Sequence, residues 1–295
     1  MKKMGLNADS IRYNGKIAVI TGAGRDLGRI CAIELARRGA KVIINDHDKD
    51  SADSTAREII DAGGIALANS DTISTIKGGR NIIRIALDAF GGIDILIIVA
   101  PIAVKRDFIK IQPKLWDNVQ DTHLNAAYNV GRDAFIAMRE KRYGRIVFTV
   151  SVEGILGHPG YTSYGAATAG LIGLMNTLKL EGAKYNISTN AVADIVPDSK
   201  KQYMPEYTAS LVLYLSSEQC PGSGGIYQAE GAFYKRIGLV SSAGIWIDQP
   251  KESATPEKII SRWKEIISME GAKEYPDATA AGVNTLSSVP SDDKP

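Results

Sequence analysis

The stretch that most constrains this chain runs from Lys16 to Arg38. The apolar run Lys16–Thr21 (KIAVIT) passes directly into Gly22-Ala23-Gly24-Arg25-Asp26-Leu27-Gly28, and Leu27–Arg38 then carries apolar residues at helical spacing, closed by Gly39. An apolar run, a glycine cluster and a helical period in succession describe a strand that turns straight into a helix. The alternation repeats. Lys41–Asp46, Ile65–Asn69 and Ile93–Ala100 read as strands, and Ser51–Ala62 and Ile76–Phe90 read as helices closed by Gly63-Gly64 and Gly91-Gly92. The strands are continuous apolar runs, as expected when helices cover both faces of a sheet.

The second half continues the pattern. Leu115–Arg139, Tyr164–Lys184 and Met204–Ser217 read as helices, and Arg145–Val150, Ile187–Ala193 and Gly225–Ala229 as strands, with a further helix over Pro256–Met269. The fold class implied is α/β: a doubly wound parallel sheet in a single Rossmann-type domain with a C-terminal helical extension. No linker separates the halves. Residues 1–14 read as a flexible arm, 15–270 as the domain, and 271–295, which lack a core pattern, as a disordered tail.

Composition excludes several function classes. With 44% apolar and 23% charged residues among 295, the chain can bury a sizeable core. A net charge of +2 gives no reason to expect nucleic acid or an acidic membrane surface as partner. No apolar run reaches membrane-spanning length, and no secretory or peroxisomal address is visible at either end, so a cytoplasmic setting is expected. Cys31 and Cys220 form no CxxC pair. Together with the scattered His47, His123 and His158 they make no metal site, and Cys31 reads as a packing residue.

The glycine turn lets the backbone approach a pyrophosphate at a helix N-terminus, which implies a dinucleotide. Asp46 ends the second strand, where an acid accepts hydrogen bonds from a ribose 2′-OH and repels a 2′-phosphate. That favours NAD over NADP, whereas Arg25 pulls towards NADP. Asp71, after the third strand, either receives the adenine or caps the strand end.

TGAGRDLG, then DILIIVA, then Ser151 followed thirteen residues later by Tyr164, resembles the short-chain dehydrogenase/reductase family over about residues 15–235. PEYTASLVLYLSSEQC, GGIYQAEGAFYKRIGLVSSAGIWI and TPEKIISRWKEI resemble one branch of it, the (3R)-hydroxyacyl-CoA dehydrogenase part of peroxisomal multifunctional enzyme type 2, and extend the match to about residue 270. The resemblance implies Tyr164 as acid/base, Ser151 as the residue orienting the substrate oxygen, and His123 at the position that completes a proton relay. It places cofactor contacts on Thr21, Gly22, Arg25, Leu27, Gly28, Asp46, Asp71, Ala100 and Thr168. It also implies a homodimer through the helices Leu115–Arg139 and Tyr164–Lys184, with Gly165, Ala166, Ala167, Ala169 and Gly170 allowing close packing. A peroxisomal location follows from the resemblance alone.

The sequence departs from the family at points of chemistry. The family's lysine, four residues after the tyrosine, is Thr168 here. Threonine carries no charge to stabilise a tyrosinate, and a tyrosine titrating at about 10 is a poor base near neutral pH. One glycine of the turn is Asp26. The polar motif after the fourth strand reads Ile98-Val99-Ala100-Pro101, the Pro-Gly pair after the sixth reads Asp194-Ile195, and the segment VPDSKKQYMPEYT shortens the substrate-covering loop. His123 is either a relay or a packed histidine, His158 either lines the pocket or lies on the surface, and Tyr161 either lines the cleft or packs.

The expectation is therefore hydride transfer between NAD(P)(H) and a 3-oxo or 3-hydroxy acyl thioester or related carbonyl, impaired or repurposed. The alternatives are a non-redox enzyme (dehydration, cyclisation or rearrangement) on the same scaffold, or a catalytically dead partner subunit.

Overall fold

The computed structural model of the chain describes residues 11–99, 105–194, 204–247 and 255–287. It divides into two compact units, Met1–Arg236 and Ile237–Pro295. In the first unit the order is β1 (Ile17–Thr21), α1 (Asp26–Arg37), β2 (Lys41–Asn45), α2 (Lys49–Asp61), β3 (Ile65–Asn69), α3 (Ile76–Phe90), β4 (Ile95–Ile98), α4 (Pro113–Gln120), α5 (Ala126–Lys141), β5 (Gly144–Ser151), α6 (Val152–Leu156), α7 (Thr162–Gly182), β6 (Ile187–Asp194), α8 (Pro205–Leu215), β7 (Ile226–Glu230) and β8 (Phe233–Ile237).

The strands form one sheet in the order β3-β2-β1-β4-β5-β6-β7-β8. From β3 to β7 every neighbouring pair is parallel. This is the doubly wound sheet that the apolar runs imply. Ile20, Ile43, Ile44, Leu96, Ile97 and Phe148 are buried in it, each contributing about 1.5–3 kcal/mol relative to exposure. The helices meet the sheet through matching faces: α1 buries Leu27, Gly28, Cys31, Ala32, Leu35 and Ala36, one side of a 3.6-residue period. α3 starts where the Thr75 hydroxyl accepts from the Gly78 N–H at 3.1 Å and stops at Gly91, whose φ of +82° lets the chain leave the helix.

Charges at the N-terminal edge of the sheet fix its register. The buried Asp94 carboxylate accepts from the Ile17 N–H at 2.9 Å and pairs with Lys141 Nζ at 2.5 Å, tying β1 and β4 to the end of α5. The buried Arg145 guanidinium donates to the carbonyls of Gly144, Asn186 and Ser217 and lies over the Tyr143 ring. A charge removed from water is tolerated only when its hydrogen bonds are met in this way. With the register so held, Thr21 lies level with Asn45 and Ile98, and Ser151 with Asp194.

Several elements differ from the sequence expectation. The helix expected over Leu115–Arg139 is broken into α4, a π-helical turn at Asp121–Asn125, and α5. Tyr13, expected within the arm, is buried, and its hydroxyl donates to the Leu213 carbonyl. The strand β8 follows β7 after a turn at Gly231.

In the second unit, Pro256–Met269 is not one helix but two, α9 (Pro256–Ser261) and α10 (Trp263–Ile266), and the expected tail carries α11 (Ala278–Ser287). Ser241 and Lys273 form an antiparallel bridge there. Among the described residues, no helix is long and apolar enough to cross a membrane.

Candidate active site

In an open α/β sheet, ligands bind at the carboxyl ends of the strands where the winding direction reverses. That point lies here between β1 and β4, and it is closely packed. Thr21 Oγ1 accepts from the Val99 N–H at 3.1 Å and donates to the Val99 carbonyl at 3.3 Å. Gly22 has φ +59°, and a Cβ on it would lie 2.7 Å from the Val99 carbonyl oxygen. A Cβ on Gly28 would lie 2.1 Å from the Gly22 carbonyl oxygen. Both glycines are therefore required by the turn's own packing, before any ligand is considered.

The turn delivers the N-terminus of α1 with no side-chain cap from Arg25, so its first N–H groups stay available to an anion. Leu27 is buried beneath it. These residues fit a dinucleotide pyrophosphate. One residue opposes it: Asp26, exposed at the first position of α1, with φ +45°. Aspartate tolerates this left-handed conformation better than most residues and suits the positive helix end, but its charge repels a phosphate.

Asp46, at the end of β2, is buried. Its Oδ2 accepts from the Gly24 N–H and its Oδ1 from the Asp48 N–H, both at 3.0 Å. The carboxylate thus clasps the glycine turn, and it retains lone pairs for a ribose hydroxyl. Arg25 does not stand apart as a phosphate ligand. Its Nη2 pairs with Asp48 Oδ2 at 2.8 Å, an arrangement that sequence reasoning missed because it joins residues 23 apart. Asp71 belongs to a side-chain network. Hydrogen bonds from Asn69 and then Asn81 hold its carboxyl below the usual carboxylate range, and Asn45 bridges Asn69 and the Asp71 carbonyl. This is the geometry of a strand-end cap. Ala100, Pro101, Ile195 and most of the shortened loop lie outside the described residues.

The second half of the site stands at the end of β5. Ser151 is buried, and its Oγ accepts from the Gly154 N–H at 3.0 Å, capping α6. Gly154 in turn lies against Thr168 on α7: a Cβ on it would meet Thr168 Oγ1 at 2.4 Å. Thr168 is therefore a packing residue, 1% exposed, where α6 meets α7. One helical turn before it on α7, Tyr164 is buried against Val119 and Ala167.

His123 sits in the π-helical turn, and its ring meets that of Tyr164 edge-on, centroids 4.9 Å apart. π-Turns inside helices frequently mark functional sites. The structure thus brings together Ser151, Thr168, Tyr164 and His123. Tyr161 continues the ring contacts outward, with Tyr164 on one side and the exposed His158 on the other. His158 contacts the Pro159 carbonyl through Nδ1 and is exposed.

Burial pushes the His123 imidazole down to about 4, so it is neutral near neutral pH and can both donate and accept. In the unfolded chain it takes a proton near 6.5, so folding loses stability as pH falls through the window between those values. Denaturant unfolding should show a loss of about 2 kcal/mol between pH 7 and pH 5 attributable to this residue. His123→Gln should flatten that dependence; an unchanged slope in the variant would contradict the burial of a neutral imidazole.

The fold agrees with known proteins. The short chain dehydrogenase family matches residues 16–200. A Mycobacterium tuberculosis protein named as a short-chain type dehydrogenase/reductase is 39% identical over 277 residues, covering 88% of this chain and 96% of its own length. Peroxisomal multifunctional enzyme type 2 of Mus musculus is 33% identical, with 97% of this chain matching 41% of the mouse protein. The structure of the full-length peroxisomal multifunctional enzyme type 2 from Drosophila melanogaster matches with a TM-score of 0.82 at 32% identity, over 95% of this chain and 50% of that one. The chain spans half or less of these multifunctional enzymes. With the match beginning at β1 and taking in the glycine turn, Ser151 and Tyr164, the chain belongs to the short-chain dehydrogenase family.

Proposed function

We propose that the chain is a nicotinamide-dependent oxidoreductase acting at the hydroxyl or carbonyl carbon of a 3-hydroxy or 3-oxo acyl thioester or a related carbonyl, with weakened acid–base chemistry. The observation that carries this reading is the joining of Ser151 to α7 through Gly154, beside the Tyr164–His123 pair, at the same end of the sheet as the glycine turn. The nicotinamide, when bound, supplies or accepts the hydride. Gly22, Leu27, Gly28 and the N-terminus of α1 would hold its pyrophosphate, and Asp46 its ribose, which favours NAD over NADP. The family match and the names of the relatives support this reading.

The protein's own part is the proton. Tyr164 donates to or takes from the substrate oxygen, Ser151 orients that oxygen, and the neutral His123 ring stands beside Tyr164 to pass the proton on. In the position of the family's lysine, the packed Thr168 carries no charge that would favour a tyrosinate. The oxidation of an alcohol should therefore be slow at neutral pH and rise towards alkaline pH.

Thr168→Lys should raise kcat/KM for hydroxyacyl oxidation by at least about tenfold and move the pH profile to lower pH. A folded, nucleotide-binding variant with no gain would contradict the assignment of Tyr164 as the base and favour a non-redox use of the same cleft.

The homodimer expectation is sharpened by the surface of α7. Ala167 is buried and Gly170 packs against Leu124, so neither is available to a partner. The exposed stripe is instead Thr162, Ala166, Ala169, Gly173, Thr177 and Leu180, uncharged and mostly small, at helical spacing. On α5, Tyr128 and Ile136 are exposed. Such a face allows two helices to approach closely across a two-fold axis. Light scattering should give a dimer for the wild type and a folded monomer for Ala169→Glu with Gly173→Glu. A monomeric wild type, or a variant that stays dimeric, would place the interface elsewhere or remove it.

A further inference from the structure

We propose that Asp48 is a second determinant of nucleotide choice, acting by pairing with Arg25 and so denying that guanidinium to a 2′-phosphate. The inference rests on the nicotinamide-dependent reading above. Arg25 precedes α1 in extended backbone, and its side chain is 57% exposed, so it is free to swing. From the glycine turn it is positioned to meet a phosphate on the adenosine ribose, the role an arginine there plays when NADP is bound.

The loop between β2 and α2 prevents this. Asp48 Oδ2 takes Arg25 Nη2 at 2.8 Å and Ser51 Oγ at 2.7 Å. The serine fixes the carboxylate, and its hydrogen bond, ahead of the charge of Arg25, lowers the Asp48 carboxyl from its ordinary value. Asp48 is itself placed by Asp46, whose Oδ1 accepts its N–H at 3.0 Å. The two acids of the Asp46-His47-Asp48 loop thus divide the work. Asp46 clasps the turn and faces the ribose, and Asp48 holds the arginine.

The charge count shows why Asp48 matters. With Asp48 paired to it, the Arg25 guanidinium is already neutralised, and the Asp26 and Asp46 carboxylates leave a 2′-phosphate facing net repulsion. Removing the Asp48 charge lessens that repulsion and frees a planar, multiply donating guanidinium, which suits phosphate better than any other side chain. An exposed ion pair contributes little stability, so its loss should leave the fold intact.

The test is a fluorescence or calorimetric titration of NADPH and NADH into the wild type, Asp48→Ala, and Asp48→Asn, which keeps the Ser51 hydrogen bond. In both variants Kd for NADPH should fall by about tenfold, the effect of one added charge-assisted hydrogen bond, while Kd for NADH changes by less than about threefold. The gain should vanish in Asp48→Asn with Arg25→Ala and shrink at high salt. NADPH affinity unchanged in both single variants, with NADH still bound, would overturn this inference and leave the proposed function standing. Failure of the wild type to bind NADH at all would overturn both.

Discussion

The approach of β1 and β4 at their carboxyl ends is the contact on which the rest of the site depends. Gly22 passes the Val99 carbonyl so closely that no side chain fits between them, and Thr21 bonds both the N–H and the carbonyl of Val99. This contact holds only if the two strands stay in register. The buried Asp94 secures that from the opposite edge, through the Ile17 N–H and Lys141. The N-terminus of α1 and the end of β5 both lie at this carboxyl edge of the sheet.

The residues that depart from the family's pattern fit their local surroundings. Thr168 packs on Gly154, so α6 and α7 lie together without a lysine between them. Asp26 takes a left-handed backbone, which aspartate tolerates better than most residues, at the positive end of α1.

Much of this was legible in the sequence, for a physical reason. Buried parallel strands are continuous apolar runs, and glycines forced by close backbone approach cannot be replaced, so both leave a mark in one dimension. β8 left none: Phe233–Ile237 is mostly exposed at the sheet edge, and FYKRI carries no apolar pattern. The π-turn at Asp121–Asn125 was invisible because the helical period continues through it. Ser151 and Tyr164 could be paired by their spacing, but the contact of His123 with Tyr164 and the hold of Asp48 on Arg25 arise only when distant segments meet.

Calorimetric titration of NADH into the wild type and Asp26→Gly tests the proposed nucleotide crevice, where Asp26 is the charge at the head of α1 that repels a phosphate. Saturable binding to the wild type and severalfold tighter binding to the variant are expected, because a repelled phosphate gains an open helix N-terminus. Absence of binding to both proteins at millimolar nucleotide would contradict it and leave the crevice to another ligand.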